Sequence, residues 1–348
     1  MVQYYNQKQC KKKKHWNSSF FYILSKPKGD IINIVENIKP ADDAFHGSPK
    51  HISAEWWYFD AIFNNNYSIH IGFRTISRKK IGIVSPFIEI YNKGILEKQK
   101  RKRFLLKNFQ TSKEFPIVKL FNNSIIEFDN YKFKDKQKWI YKINYHFEDI
   151  KINLIFKGLT KGFKIETDAE SWTVALPKAE VIGEIVINGK KMIVEGIGYH
   201  DHNWNYSLLS ALTYGKAWYW GKIRSENYNI VWANVLKKSK KYDLLAIINK
   251  DQNTYYNINP EKIHFKTDEY IKDHHRKMPT KFKLKIDDIV KNDIIKAEID
   301  IKVKNLHFSS VLSAPYWRYH VQNKGYISIN NKKEIIDNIE IMEYLKFS

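Results

Sequence analysis

The chain has 348 residues and a formal net charge of +22, with 43% hydrophobic and 15% aromatic residues but only 14 Gly and 9 Pro. So much apolar material excludes a chain that is disordered throughout, and so few Gly and Pro exclude collagen-like or low-complexity architectures. The single Cys10 excludes an internal disulfide and a cysteine-based zinc cluster.

The basic excess follows a chain-wide preference for Lys, Asn and Ile, and no nucleic-acid module accompanies it, so a nucleic-acid partner is not expected. At the N-terminus, Lys11 to Lys14 precede the apolar run 20–24, which is too short for a secretory core. Residues 1–44 therefore read as a basic, poorly ordered tail. Nothing reaches the ~20 apolar residues of a spanning helix. The expectation is a cytoplasmic protein whose charge suits peripheral contact with anionic membranes.

The first strong element is Glu55-Trp56-Trp57-Tyr58-Phe59-Asp60. As a strand it puts Glu55, Trp57 and Phe59 on one face and Trp56, Tyr58 and Asp60 on the other. A buried Glu55 would need a partner, which points to a site. The basic run 98–103 reads as a solvated loop between strands. Further on, Ile143, Tyr145 and Phe147 alternate with Lys142, Asn144 and His146. The same alternation recurs at Phe282, Leu284 and Ile286 and at Ile299, Ile301 and Val303. Period-2 patterning of this kind makes antiparallel strands with one wet face, and no long 3.6-residue periodicity competes with it.

Two internal echoes organise the chain. The stretch starting at Trp57-Tyr58 matches the one starting at Trp218-Tyr219 at an offset of 161, and Gly183 to Lys191 matches Gly325 to Lys333 at an offset of 142. Their common order predicts an all-β protein of two duplicated domains, 45–200 and 201–348. The interval between the first domain's end and the second copy's start holds the densest titratable cluster, Tyr199-His200-Asp201-His202-Asn203-Trp204. Domain interfaces favour ligand sites. A strand here puts His200 and His202 on one side and Asp201 on the other. His200 and His202 could ligate zinc with His51, His70 or His146, but the ligand set is incomplete and no metal or cofactor is expected.

The combination of His51 with Glu55-Trp56-Trp57-Tyr58-Phe59, Ser171-Trp172, and Gly196-x-Gly198-Tyr199-x-Asp201-His202-Asn203-Trp204 resembles the hydroxyneurosporene synthase (carotenoid 1,2-hydratase) and AttH-like family over residues 45–348. Beyond Trp232 the resemblance adds little besides Glu343. It implies two lipocalin-like antiparallel β-barrel domains and an apolar isoprenoid, polyene or lipid-like ligand. Activities in the family range from hydration of an isoprenoid double bond to pericyclic ring closure in fungal relatives. Asn205 stands where the family commonly has Gly, so the turn after Trp204 is expected to differ.

A hydratase needs a buried, neutral carboxylic acid as proton donor. Asp201 is the first choice and Glu55 the second, with His200 or His202 orienting the acid or deprotonating water. Trp57, Tyr58, Tyr199, Trp204, Trp218 and Trp220 would line the ligand. The alternatives are a non-catalytic binder of hydrophobic ligands and an isomerase or cyclase. The sequence leaves the oligomeric state open.

Overall fold

The computed structural model describes residues 35–47, 52–166, 170–207, 215–237, 242–311 and 314–346. His51 and the basic stretch at 11–14 lie outside them. The alternating segments form hairpin after hairpin. The first sheet holds β1 (Val35–Glu36), β2 (Ser53–Phe63), β3 (Tyr67–Arg78), β4 (Ile81–Asn92), β5 (Ile95–Arg101), β6 (Phe104–Leu105), β7 (Phe109–Thr111), β8 (Val118–Leu120), β9 (Asn123–Phe128), β10 (Ile140–Phe147), β11 (Ile150–Gly158), β12 (Phe163–Glu166), β13 (Ser171–Ile187) and β14 (Lys190–Ser207). The second holds β15 (Gly215–Arg224), β16 (Asn229–Lys237), β17 (Tyr242–Asn249), β18 (Tyr255–Asn257), β19 (Ile263–Asp273), β20 (Arg276–Val290), β21 (Asp293–Val311), β22 (Ala314–Ile329) and β23 (Lys332–Lys346).

The two sheets repeat one topology. The first runs β5-β4-β3-β2-β14-β13-β11-β10-β9 before its last two short strands, and the second runs β18-β17-β16-β15-β23-β22-β21-β20-β19. Both are curled antiparallel half-barrels, as the duplication predicts. The hairpins at Asn188-Gly189 and Asn330-Asn331 both take positive φ, the geometry of a two-residue turn matched to strand twist. Upstream, Gly183 and Gly325 sit at φ 153° and 155°. A Cβ at either would lie 2.0 Å from a neighbouring strand's carbonyl oxygen, Asn153 O or Glu298 O. That close approach is why both copies of the second echo open on glycine.

The first echo is one residue out of register. His200 pairs with Phe59 and, 142 residues on, Met342 pairs with Gly221. The true offset between β2 and β15 is therefore 162, so Trp57 corresponds to Tyr219, Tyr58 to Trp220 and Asp60 to Lys222. A slip of one residue exchanges the two faces of a strand, which the shared Trp-Tyr letters conceal.

Each half-barrel fills its own concavity. Trp57, Phe59, Ala61 and Phe63 of β2 enter the first core, and Tyr219 and Ile223 of β15 enter the second. A third cluster lies between the sheets and contains Tyr58, Val174, Tyr199, Trp220, Val231, Leu245 and Ile247.

Three boundaries differ from expectation. Residues 35–44, expected in the tail, belong to the folded domain: β1 pairs with β12, Pro40–Asp43 forms a 3₁₀ turn, and Asp43 and Ala44 are buried. Alternation could not reveal this segment because it is held by side chains rather than by a long strand. The run 98–101 is part of edge strand β5, whose lysines take Glu148 and Asp149 as partners instead of forming a loop. The expected division at 200/201 falls inside β14, whose residues as far as Ser207 pair with β2. Among the described residues, no helix is long and apolar enough to cross a membrane.

Candidate functional site

Strand β14 lies between β2 and β13, and its alternation sorts the titratable cluster onto two faces. His200 and His202 point into the first half-barrel. Asp201 points the other way, into the layer between the sheets.

On the inner face, the 3₁₀ turn delivers Asp43 to both histidines. His200 Nε2 lies 2.9 Å from Asp43 Oδ2, which also accepts from Tyr141 OH at 2.6 Å. His200 Nδ1 lies 2.9 Å from Tyr58 O, and its ring stacks on Phe59 at 3.7 Å. His202 Nε2 lies 3.0 Å from Glu55 Oε1, and its Nδ1 is 3.5 Å from Asp43 Oδ1. Glu55 also accepts the backbone N–H groups of His46 and Gly47, each at 2.8 Å.

Burial would raise the Glu55 carboxyl, yet His202 and the His46 hydrogen bonds hold it at about 2. Burial would likewise raise Asp43, but His200 and His202 hold it well below the usual carboxylate range. Burial alone would lower His202, but its hydrogen bonds to Asp43 and Glu55 raise it to about 9. His202 is therefore an imidazolium clamped between two carboxylates. With Trp57 Nε1 donating to Asp43 O and Trp204 stacked on His46 at 3.7 Å, this cluster fastens residues 40–47 onto the first half-barrel. The ligand atoms of His46, Glu55 and His202 lie within 4.8 Å of one another, but a divalent cation would need His202 neutral, and its two carboxylate partners keep it protonated. His70 and His146, the other expected ligands, are elsewhere: His70 meets Glu89, and His146 is exposed.

On the inter-sheet face, Asp201 Oδ2 accepts from Trp172 Nε1 and from Tyr199 OH, both at 2.8 Å. Burial, only partly offset by these two donors, pushes Asp201 up to about 7. Both bonds fall on Oδ2, which leaves Oδ1 to carry the proton.

The duplication supplies a control for this environment. Glu343 is the residue 142 positions after Asp201, and it faces Trp220 across the strand pair as Asp201 faces Tyr58. Its other neighbour is Arg318, whose Nε and Nη2 lie 3.1 and 2.9 Å from Glu343 Oε1. The corresponding neighbour of Asp201 is Val174. One carboxyl faces a guanidinium and the other an isopropyl group, so the first is ion-paired and the second is a buried acid.

Arg318 is fully buried and also meets Glu89, Tyr91 OH and His70. Burial, and after it the charge of Arg318, holds His70 well below its usual range, so that ring is neutral. Beside them Lys222 pairs with Asp60, which accepts from Tyr58 OH at 2.8 Å, and Arg224 pairs with Glu340.

The expected site residues thus separate into two groups. Glu55, His200, His202, Trp57 and Trp204 belong to the clamp. Asp201, Tyr58, Tyr199 and Trp220 meet between the sheets, where the three aromatic rings lie 5.0–6.1 Å apart, with half-buried Trp218 nearby beside Tyr206. The histidines therefore do not orient Asp201; Trp172 and Tyr199 do, because adjacent residues of a strand cannot share a face. Asp43, His46, Asp60, Lys222 and Arg318 went unseen as site residues in the sequence, their charged partners lying as many as 229 residues away. Asn205 adopts φ 57°, a conformation open to Asn as well as Gly, so the turn after Trp204 is one a glycine would also make.

No family model matches the chain. The quinolone epoxide rearrangement protein penF of Penicillium thymicola is 34% identical over 77 residues, which are 22% of this chain and 21% of that protein; the match spans about a fifth of this curated relative. Three solved structures are similar over most of their length. An AttH-like protein from Nitrosomonas europaea gives a TM-score of 0.62 at 13% identity, covering 89% of this chain and 96% of that one. CghA, solved with Sch210972, gives 0.60 at 10% identity, covering 90% and 98%. Kievitone hydratase from Nectria haematococca gives 0.55 at 10% identity, covering 93% and 97%. At these identities the likeness is one of fold, and the chain has the lipocalin-like, two-sheet fold of AttH-like proteins.

Proposed function

We propose that the chain is an enzyme that protonates a small molecule bound between the two sheets, with Asp201 as the proton donor. The observation that carries this reading is the buried carboxyl of Asp201, held at about 7 with both hydrogen bonds on one oxygen. The names of kievitone hydratase and of the quinolone epoxide rearrangement protein agree with acid chemistry on a double bond or an epoxide. That CghA was solved with Sch210972 agrees with a small molecule as ligand.

In a hydration, the Asp201 proton adds to one carbon of the double bond and leaves a cation on its neighbour. Water adds to that cation, and the proton it sheds returns to the carboxylate. In an epoxide opening, the same proton goes to the ring oxygen as its carbon–oxygen bond breaks. Tyr199 and Trp172 would stabilise the carboxylate left behind. The π faces of Tyr199 and Trp220 already carry the Lys222 ammonium, at 4.8 and 5.7 Å, which leaves half-buried Trp172 as an aromatic face for a developing cation. An isoprenoid or polyene double bond, as in carotenoid hydration, is the specific substrate suggested by the sequence motifs.

The test is to extract the purified protein, identify the retained small molecule by mass spectrometry, and follow its turnover in 2H2O. Hydration should place deuterium on product carbon, and Asp201→Asn should slow the reaction by ~10²-fold or more. Turnover at an unchanged rate in Asp201→Asn would remove Asp201 from the chemistry. A retained molecule that is never turned over would make the protein a carrier.

A further inference from the structure

Most cations in the layer between the sheets have a carboxylate. Lys222 has Asp60, Arg224 has Glu340, and Arg318 has Glu89 and Glu343. Arg74 and Arg101 have none within ion-pair distance among the described residues: half-buried Arg74 is drawn only by the more distant charge of Glu343, which Arg318 already pairs, and Arg101 is exposed at the sheet edge. Arg74 makes no hydrogen bond or ion pair there, and its Nε is buried without an acceptor. Arg101 reaches only a carbonyl, Ser310 O in β21, at 3.3 Å.

The sheet brings these two together on the face that carries Asp201. One row of cross-strand partners runs from Asp201 to Tyr58, Gly72, Phe87 and Arg101. Gly72 is side-chain-free because the Phe87 ring occupies its place; a Cβ there would meet that ring at 2.1 Å. Arg74, two residues along β3, and Arg101 both hold their guanidinium carbons over the Phe87 ring, at 5.7 and 5.5 Å. Burial, and after it the repulsion from Arg101, brings Arg74 down to about 10, so it stays charged at neutral pH. The attraction of Glu343 does not offset burial and the repulsion from Arg101, so an anion placed between the two guanidinium groups would be favoured.

We propose that Arg74 and Arg101 form an anion subsite, which takes a carboxylate or a group of similar charge and shape on the ligand whose other end reaches Asp201. Arg74 lies two strands across and two residues along from Asp201, which at ~4.8 Å per strand and ~3.4 Å per residue is about 12 Å. A drug-sized molecule spans that distance. The substrate class is therefore an amphipathic acid, with an apolar, protonatable segment near Trp172 and Asp201 and an anionic head at the guanidinium pair. Planar, forked guanidinium groups suit such a head better than lysine would.

This inference rests on the inter-sheet site proposed above, and the test separates the two. The probes are cis-parinaric acid, a fluorescent polyene carboxylate, and its methyl ester, titrated against the full chain. The wild type should bind the acid at least ~10-fold more tightly than the ester. The Arg74→Gln/Arg101→Gln double variant should lose that preference and keep its affinity for the ester. Thermal unfolding provides a second readout: Arg74→Gln should leave the midpoint unchanged or raise it, because burial and Arg101 disfavour this charge more than Glu343 favours it.

Equal binding of acid and ester by the wild type, or a preference that survives in the double variant, overturns the subsite and leaves the ligand layer standing. If neither probe binds, the inter-sheet site falls and takes the subsite with it. A lowered midpoint for Arg74→Gln would show that the protein itself already satisfies the guanidinium charge and would also overturn the assignment.

Discussion

Replacing Asp201 by Asn keeps an oxygen to accept from Trp172 and Tyr199 and replaces the acid O–H by an N–H, so the variant imitates the protonated protein at every pH. Moving a carboxyl from 3.8 to about 7 penalises its charged form in the native state by roughly 4 kcal/mol, at ~1.4 kcal/mol per pH unit. The sign follows from proton uptake: between 3.8 and about 7 the folded chain holds a proton that the unfolded chain has lost, so wild-type stability falls as pH rises through this window and then levels off. The variant lacks this loss. Urea denaturation from pH 4 to pH 9 should show the stability difference moving in favour of Asp201→Asn by up to ~4 kcal/mol, with most of the change complete by pH 8. Titrations elsewhere, including His202, occur in both proteins and cancel in the difference. A difference that stays flat within ~1 kcal/mol from pH 4 to pH 8 would show that Asp201 ionises like an exposed carboxylate, and the case for it as a proton donor would fail.

Other outcomes follow from the same contacts. His202→Gln should cost ~3–5 kcal/mol near pH 6, because Asp43 and Glu55 lose their shared cation. The His202 contribution is complete below 6.5 and is lost as pH rises through about 9, so the penalty measured by guanidinium denaturation should shrink at alkaline pH. Arg318→Met should cost a comparable ~3–5 kcal/mol by stranding Glu89 and Glu343; a near-neutral denaturation midpoint would mean that these carboxylates find water instead. Gly183→Ala and Gly325→Ala should each lower the thermal midpoint by several degrees, whereas Gly189→Ala, whose Cβ would meet nothing within 4 Å, should change it less.

The all-β class and the doubled topology were legible because period-2 alternation is local and because both copies of the second echo repeat a backbone requirement, glycine at a close approach and Asn at a positive φ. The one-residue error in the first echo arose where the shared residues, Trp and Tyr, are interchangeable as aromatics while their faces are not. Glu55 was legible as a group needing a partner, and the structure supplies His202. Asp43 was not, since residues 35–47 carry no periodicity and owe their place to contacts with residues as far away as Tyr141 and His200. The difference between Asp201 and Glu343 was equally out of reach, because it depends on which residue of a neighbouring strand, Val174 or Arg318, stands opposite.

Asp60 and Lys222 are counterparts in the repeat and also touch each other, as do Tyr58 and Trp220 at 5.3 Å. The halves meet as an isologous dimer would, about an approximate twofold axis. Two identical subunits would have to present the same residue from both sides of that axis, aspartate against aspartate or lysine against lysine. Covalent linkage lifts this restriction, so opposite charges can be joined across the axis and a lone proton can be kept on one side of it.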